Sequence, residues 1–166
     1  LIAHPPCTYL SNAGARHLWK GHVLNQERYA KGLDAKNFFL KFLNANCPKI
    51  CVENPVPSRV YELPKYTQII QPYEYGHPYS KRTCLWLKNL PPLQPTDTME
   101  PVGTWCPSGS YSHKHSIQHK GLFTKDRAKN RSKTFLGIAQ AMAQQWGSTK
   151  KTPAPAATGN GGMENN

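Results

Sequence analysis

The stretch HPPCTYLS, residues 4–11, follows the short apolar run LIA at residues 1–3. LIA has the character of a buried strand. The two prolines after it cannot donate to a sheet ladder, so the strand must stop there. Cys7 then stands just past a strand end. At that position a cysteine is a structural residue, a metal ligand or a nucleophile. Because folds seldom begin inside a core strand, the sequence also predicts that an N-terminal portion precedes Leu1.

Residues 8–25 are polar and mixed and read as a loop. A helix is expected over Asp34–Asn46. Asp34 would cap it, and Phe38, Phe39, Phe42 and Leu43 would share one face. KICVE, residues 49–53, reads as a short strand stopped by NPVP. Thr67–Gln71 and RTCLWL, residues 82–87, read as two strands of a hairpin. Phe135, Ile138, Ala139, Met142 and Trp146 recur at helical spacing, and Gly147 can end that helix. No internal repeat is visible.

These elements imply an α/β layer architecture with only part of a doubly wound sheet. The expected organisation is an α/β domain over 1–90, an irregular basic segment over 91–133, a C-terminal helix packing on the domain over 134–147, and a disordered tail over 148–166.

The 166 residues suit one domain by length. Lys plus Arg number 21 against 9 Asp plus Glu, a formal net charge of +12, which favours a polyanionic partner. No stretch is apolar and long enough to span a bilayer, and there is no basic-then-apolar leader. Five cysteines at irregular spacing argue against a disulfide framework and for a reducing compartment. Cys106 with His113, His115 and His119 fits no standard zinc spacing, and of Cys47 and Cys51 the second points along a strand and reads as core, so no metal is expected.

Functional groups of α/β sheets collect at the carboxyl ends of strands. Three such ends carry useful chemistry: Pro6-Cys7, then Glu53-Asn54-Pro55, then the turn holding His77, Tyr79, Lys81 and Arg82. If the first two strands are parallel neighbours, a thiol and a carboxylate converge in one crevice.

PPCTYLS resembles the Pro-Cys motif of the DNA cytosine-5 methyltransferases, through Pro6, Cys7 and Ser11, with Thr8 where that family has glutamine. VENP resembles its Glu-Asn motif through Glu53 and Asn54. YEYGHPYSKR resembles its Tyr-Gly-x-Pro stretch through Tyr75, Gly76 and Pro78. Tyr79 falls at that motif's glutamine and Lys81 at its first arginine, with Arg82 beside it. The three motifs come in the family's order and cover roughly residues 1–90. The chain looks most like short, virus- or prophage-type members, of the kind found in restriction-modification. The family's Phe-x-Gly-x-Gly loop for S-adenosylmethionine is absent, and its late Gly-Asn motif is not recognisable.

The resemblance implies a partial Rossmann-like methyltransferase sheet, S-adenosyl-L-methionine as methyl donor and DNA as substrate. It implies that Cys7 attacks C6 of cytosine, that Glu53 holds the N3 edge, and that Lys81 or Arg82 supplies a cation. Pro6, Ser11, Asn54 and Tyr79 would line the substrate site. Lys125, Arg127, Lys129, Arg131 and Lys133 would bind DNA phosphates. A cytoplasmic monomer, bacterial or in a virus-infected cell, is expected. The other readings are a non-catalytic nucleic-acid-binding remnant, or a different pyrimidine-modifying enzyme that also attacks C6 with a cysteine.

Overall fold

The computed structural model describes residues 1–15, 17–105 and 132–147. In chain order these form strand β1 (Ile2–Ala3), the short helix α1 (Asn12–Ala15), strands β2 (Trp19–Lys20) and β3 (Val23–Leu24), and helix α2 (Gln26–Leu43). Strands β4 (Ile50–Pro55), β5 (Gln68–Ile70) and β6 (Thr83–Lys88) and helix α3 (Leu136–Gly147) follow. Four strands make one sheet in the order β1-β4-β6-β5. β1 runs parallel to β4, with Ile2 opposite Cys51 and Ala3 opposite Val52. β6 is antiparallel to both β4 and β5.

Alternation along the strands splits the core into two layers. Ile50 and Val52 of β4 and Cys84 and Trp86 of β6 turn to one face, where Phe39 of α2, Leu10 and Tyr61 cover them. Cys51 and Leu85 turn to the other face, against Ile138, Ala141 and Met142 of α3. The sheet therefore carries a helix on each face, as an α/β layer architecture requires. Phe39 and Trp86 meet edge to face at 4.9 Å, the favoured geometry for a ring pair. Trp86 also donates its indole N–H to the Pro64 carbonyl at 2.7 Å, so its polar end is satisfied.

Several boundaries differ from the sequence expectation. Helix α2 begins at Gln26, eight residues before Asp34, because Asn25 caps it by accepting from the Arg28 N–H at 3.0 Å. Gly32 does not interrupt it: a Cβ there would run into the Tyr61 ring, so the glycine makes the room that Tyr61 fills. Residues 8–25 are not one loop, since they contain α1 and the β2–β3 hairpin. Strand β4 runs on through Asn54 and Pro55, paired to Cys84 and Thr83. On α3 the buried stripe is Ile138, Ala141 and Met142, while Ala139 is exposed. Ala139 lies about 100° round the helix from Ile138, on the rim of the covered face.

Residues 91–105 have no regular element, as expected, yet they are laid onto the domain. Leu93 is fully buried. Its N–H donates to Gln68 Oε1 at 2.8 Å, and its carbonyl accepts from Gln68 Nε2 at 2.7 Å and from the Tyr75 hydroxyl at 3.3 Å. Isolated bridges pair Tyr75 with Asp97 and Ser80 with Thr104. The rest of the basic segment, 106–131, and the tail 148–166 lie outside the described residues. Among the described residues no helix is long and apolar enough to cross a membrane.

Candidate functional site

The site forms where the parallel pair β1 and β4 ends. After Ala3 the chain leaves the sheet through His4, Pro5 and Pro6, then turns. The Cys7 carbonyl accepts from the Ser11 N–H at 3.0 Å, which closes a helical turn that starts at the thiol-bearing residue. Leu10 pins this turn by full burial against β4 and β6. The Ser58 N–H donates to the Leu10 carbonyl at 2.7 Å, and the Asn12 N–H to the Val56 carbonyl at 3.1 Å. The chain after Cys7 is therefore stitched to the chain after β4.

Asn54 makes the central stitch. It is buried, and its Nδ2 donates to the Pro5 carbonyl at 2.9 Å. Pro5 and Pro6 have no N–H to pair with β4, so a side chain takes over the ladder's role there. Asn54 Oδ1 is buried without a donor. The proposed substrate contact at Asn54 is thus a support for the cysteine turn first.

Glu53 stands one residue earlier, on the sheet face opposite Val52 and shared with α3. Its side chain is 12% exposed. His4 Nδ1 lies 3.3 Å from Glu53 Oε2, close enough for an ion pair. The contact is off the line of a good hydrogen bond, and Oε2 is buried with no aligned donor. The Glu53 carboxylate holds the His4 imidazole above its ordinary pKa, against burial and the Lys81 charge, which both push it down. Lys81 is therefore within electrostatic reach of the pair.

Lys81 is held from several sides. Its backbone N–H donates to Gln71 Oε1 at 2.9 Å, and its Nζ donates to the Lys133 carbonyl at 3.2 Å. The ammonium also sits 5.7 Å from the centre of the Phe135 ring, within cation–π range. Phe135 contacts His77 and Trp105, and Trp105 contacts Tyr79, with ring centres 4.9, 5.4 and 5.1 Å apart in turn. His77 Nε2 accepts from the Gly137 N–H at 3.0 Å, joining this turn to the start of α3. A Cβ at Gly137 would strike the Tyr75 carbonyl, so this close approach needs glycine.

The expected residues thus separate into groups. Glu53 lies in β4 two residues before its end, Cys7 follows the end of β1 by four residues, and Lys81 acts on His4 beside Glu53. Arg82 is exposed and acts instead on Cys84, drawing down a thiol that burial pushes up to about 11. Tyr79 belongs to the aromatic cluster. Pro6 is exposed. Ser11 is buried, and its hydroxyl accepts from the Gly14 N–H at 3.2 Å, within the fold itself. Lys133 is exposed, while Lys125, Arg127, Lys129 and Arg131 lie outside the described residues.

Two partners escaped the sequence reading. His4 sits directly before the prolines, and a titratable residue at a strand's carboxyl end was the available signal. Arg28 was hidden in a helix with no motif. Its guanidinium donates to the Thr8 carbonyl at 3.4 Å and the Gly14 carbonyl at 3.1 Å and lies 4.9 Å from the Tyr9 ring centre, tying α2 to the turn.

The described residues do not make a cradle for S-adenosylmethionine. Among them no glycine-rich turn follows a strand, and the one carboxylate at the β1–β4 end is engaged by His4. No group of three His, Cys, Asp or Glu among them is arranged to hold a metal ion. Cys106, His113, His115 and His119 lie outside the described residues. No family model matches the chain, and no match was found among curated proteins or solved structures.

Proposed function

We propose that this chain carries the cytosine-engaging part of a DNA cytosine-5 methyltransferase with a partial Rossmann-like sheet. The observation that carries the reading is the parallel register of β1 on β4, with Ala3 opposite Val52. It runs the chain leading to Cys7 beside the second half of β4, which carries Glu53, and this supports a thiol and a carboxylate working on one ring.

The chemistry of these residues is nucleophilic activation of the pyrimidine. The Cys7 thiolate forms a bond to C6. The C5=C6 electron pair shifts to C4=C5, the C4=N3 pair moves to N3, and N3 takes a proton from the Glu53 carboxyl. The ring's C5 is then an enamine carbon, able to accept an electrophile. Lys81 supplies positive charge near the developing anion, whereas exposed Arg82 suits a phosphate. Loss of the C5 proton and expulsion of the thiolate restore the ring.

A stacked base is out of reach of Cys7, so the target must be flipped out or single-stranded. The net charge of +12 supports the DNA partner, with the basic run 125–133 as a phosphate contact. The donor group in this reading is S-adenosyl-L-methionine. The described residues do not form its site. The expected setting is the cytoplasm of a bacterium or a virus-infected cell.

The test is transfer of labelled methyl from S-adenosylmethionine to cytosine in DNA by the full protein, with Cys7→Ser beside it. Transfer that stops in Cys7→Ser supports the reading; transfer retained in that variant overturns it. Cysteine-dependent chemistry at C5 without methyl transfer would favour a different pyrimidine-modifying enzyme. DNA binding with neither would favour a non-catalytic remnant.

A further inference from the structure

Four rings from three separate parts of the chain meet at the turn before β6. His77 and Tyr79 come from the turn itself, Trp105 from the end of the 91–105 stretch, and Phe135 from the residue before α3. All four are half-buried. The ring pair that packs the core differs: Phe39 and Trp86 are 0% and 2% exposed. Tyr79 is the least committed of the four. Its ring meets that of Trp105 with 5.1 Å between centres, and among the described residues its hydroxyl has no hydrogen-bond partner.

Positive charge borders these rings. Lys81 Nζ lies 5.7 Å from the Phe135 ring centre, and exposed Lys133 stands two residues before Phe135. Residues 106–131, which join Trp105 to Ser132, carry several Lys and Arg and a single acid, Asp126. The one carboxylate on the turn, Glu74, is taken up by the Gln71 N–H at 2.6 Å. Half-buried rings beside ammonium groups suit an unpaired nucleobase on its phosphate backbone, since every base has a π-face and every nucleotide a charge. Duplex DNA keeps its base faces stacked, and an apolar partner would leave the cations unanswered. Lys81 also acts on His4, which sits beside Glu53, so the rings adjoin the residues read as engaging cytosine.

We propose that Tyr79, backed by Trp105 and Phe135, is a stacking platform for an unpaired base of single-stranded DNA next to the target cytosine, with Lys133 on a neighbouring phosphate. This deepens, and rests on, the reading of the chain as one that works on cytosine in DNA. A target held out of the duplex leaves its neighbours unstacked, and the platform restores one stacking partner.

The test uses the full chain and a dye-labelled single strand of about a dozen nucleotides, beside a strand of the same length built from abasic units. The two strands carry the same charge and differ only in bases. By fluorescence anisotropy the wild type should bind the base-bearing strand about tenfold tighter or more. Tyr79→Leu should remove most of that difference and leave binding of the abasic strand unchanged, while Tyr79→Phe, which keeps the ring, retains it. Lys133→Gln should weaken both strands alike and reduce the salt slope by about one. On the wild type, irradiation of a strand carrying 5-iodouracil should crosslink it to Tyr79 or its ring neighbours, read by peptide mass spectrometry. Equal wild-type affinity for the two strands overturns the proposal, as does a difference untouched by Tyr79→Leu, or crosslinks confined to other parts of the chain. The cytosine chemistry is read separately. Addition of a thiolate to C6 makes C5 exchange its hydrogen with water, so tritium release from 5-tritiated cytosine reports on Cys7. A base-dependent difference without release leaves the platform standing and overturns the reading of Cys7; release without that difference overturns the platform alone.

Discussion

The Asn54 side-chain amide donates to the carbonyl of Pro5 at 2.9 Å, joining the end of β4 to the proline pair that leads into Cys7. The bond is buried, so its loss leaves a carbonyl unpaired away from water. Asn54→Ala should cost about 1–3 kcal/mol in urea unfolding, the cost of an orphaned buried polar group. C5 exchange should fall in the same variant, because the turn bearing Cys7 loses its tie. Unchanged stability would show that the bond does not hold the turn.

The His4–Glu53 contact gives stability a pH dependence of known sign. The folded-state pKa of His4 is raised, chiefly by Glu53. Its contribution is therefore fully present below the ordinary histidine value of 6.5 and is lost as pH rises through the raised value. The gap in unfolding free energy between wild type and His4→Gln should be wider at about pH 5.5 than at about pH 8.5. A gap that widens with pH would contradict the pairing.

The described thiols should differ sharply in reactivity. Burial pushes Cys51 up to about 12 and Cys84 up to about 11. Both are fully buried, whereas Cys7 and Cys47 are half-buried. Brief alkylation of the native protein near about pH 8, read by peptide mass spectrometry, should label Cys7 and Cys47 and spare Cys51 and Cys84, since the thiolate is the nucleophile. Early labelling of Cys51 would mean that the α3 face is open.

Gly32→Ala sets two effects against each other. Helix propensity gains up to about 1 kcal/mol. The new Cβ strikes the Tyr61 ring, and overpacking costs about 1–3 kcal/mol. The clash should win, so thermal unfolding should come at a lower temperature than in the wild type. A higher midpoint would mean that Tyr61 moves aside freely.

Much of the sheet was legible because its signals are local. Ile50, Cys51 and Val52 form an apolar run between turn residues, and Thr83–Leu87 does the same, so β4 and β6 lie where their sequences predict. The α2 start differs from the expectation because Asn25 as well as Asp34 is a good cap, with Gly32 between them. What decides is Tyr61, distant in sequence, which fills the space over the glycine. The β2–β3 hairpin was invisible because two strands of two residues carry no period. In the candidate site, the places of Cys7 after β1 and of Glu53 and Asn54 on β4 follow from adjacent prolines and an apolar strand, whereas the bond from Asn54 to Pro5 carries no sequence signal. His4 and Arg28 were not legible, since their roles exist only once β1 pairs with β4 and α2 packs beside the turn.

Addition of Cys7 to C6 of cytosine makes the C5 hydrogen exchange with water. Incubation of the full chain with a 5-tritiated cytosine oligonucleotide should release tritium to water. The wild type should release it, with Cys7→Ser reduced to the rate of the oligonucleotide alone. Equal release by wild type and Cys7→Ser would contradict the addition of Cys7 to C6.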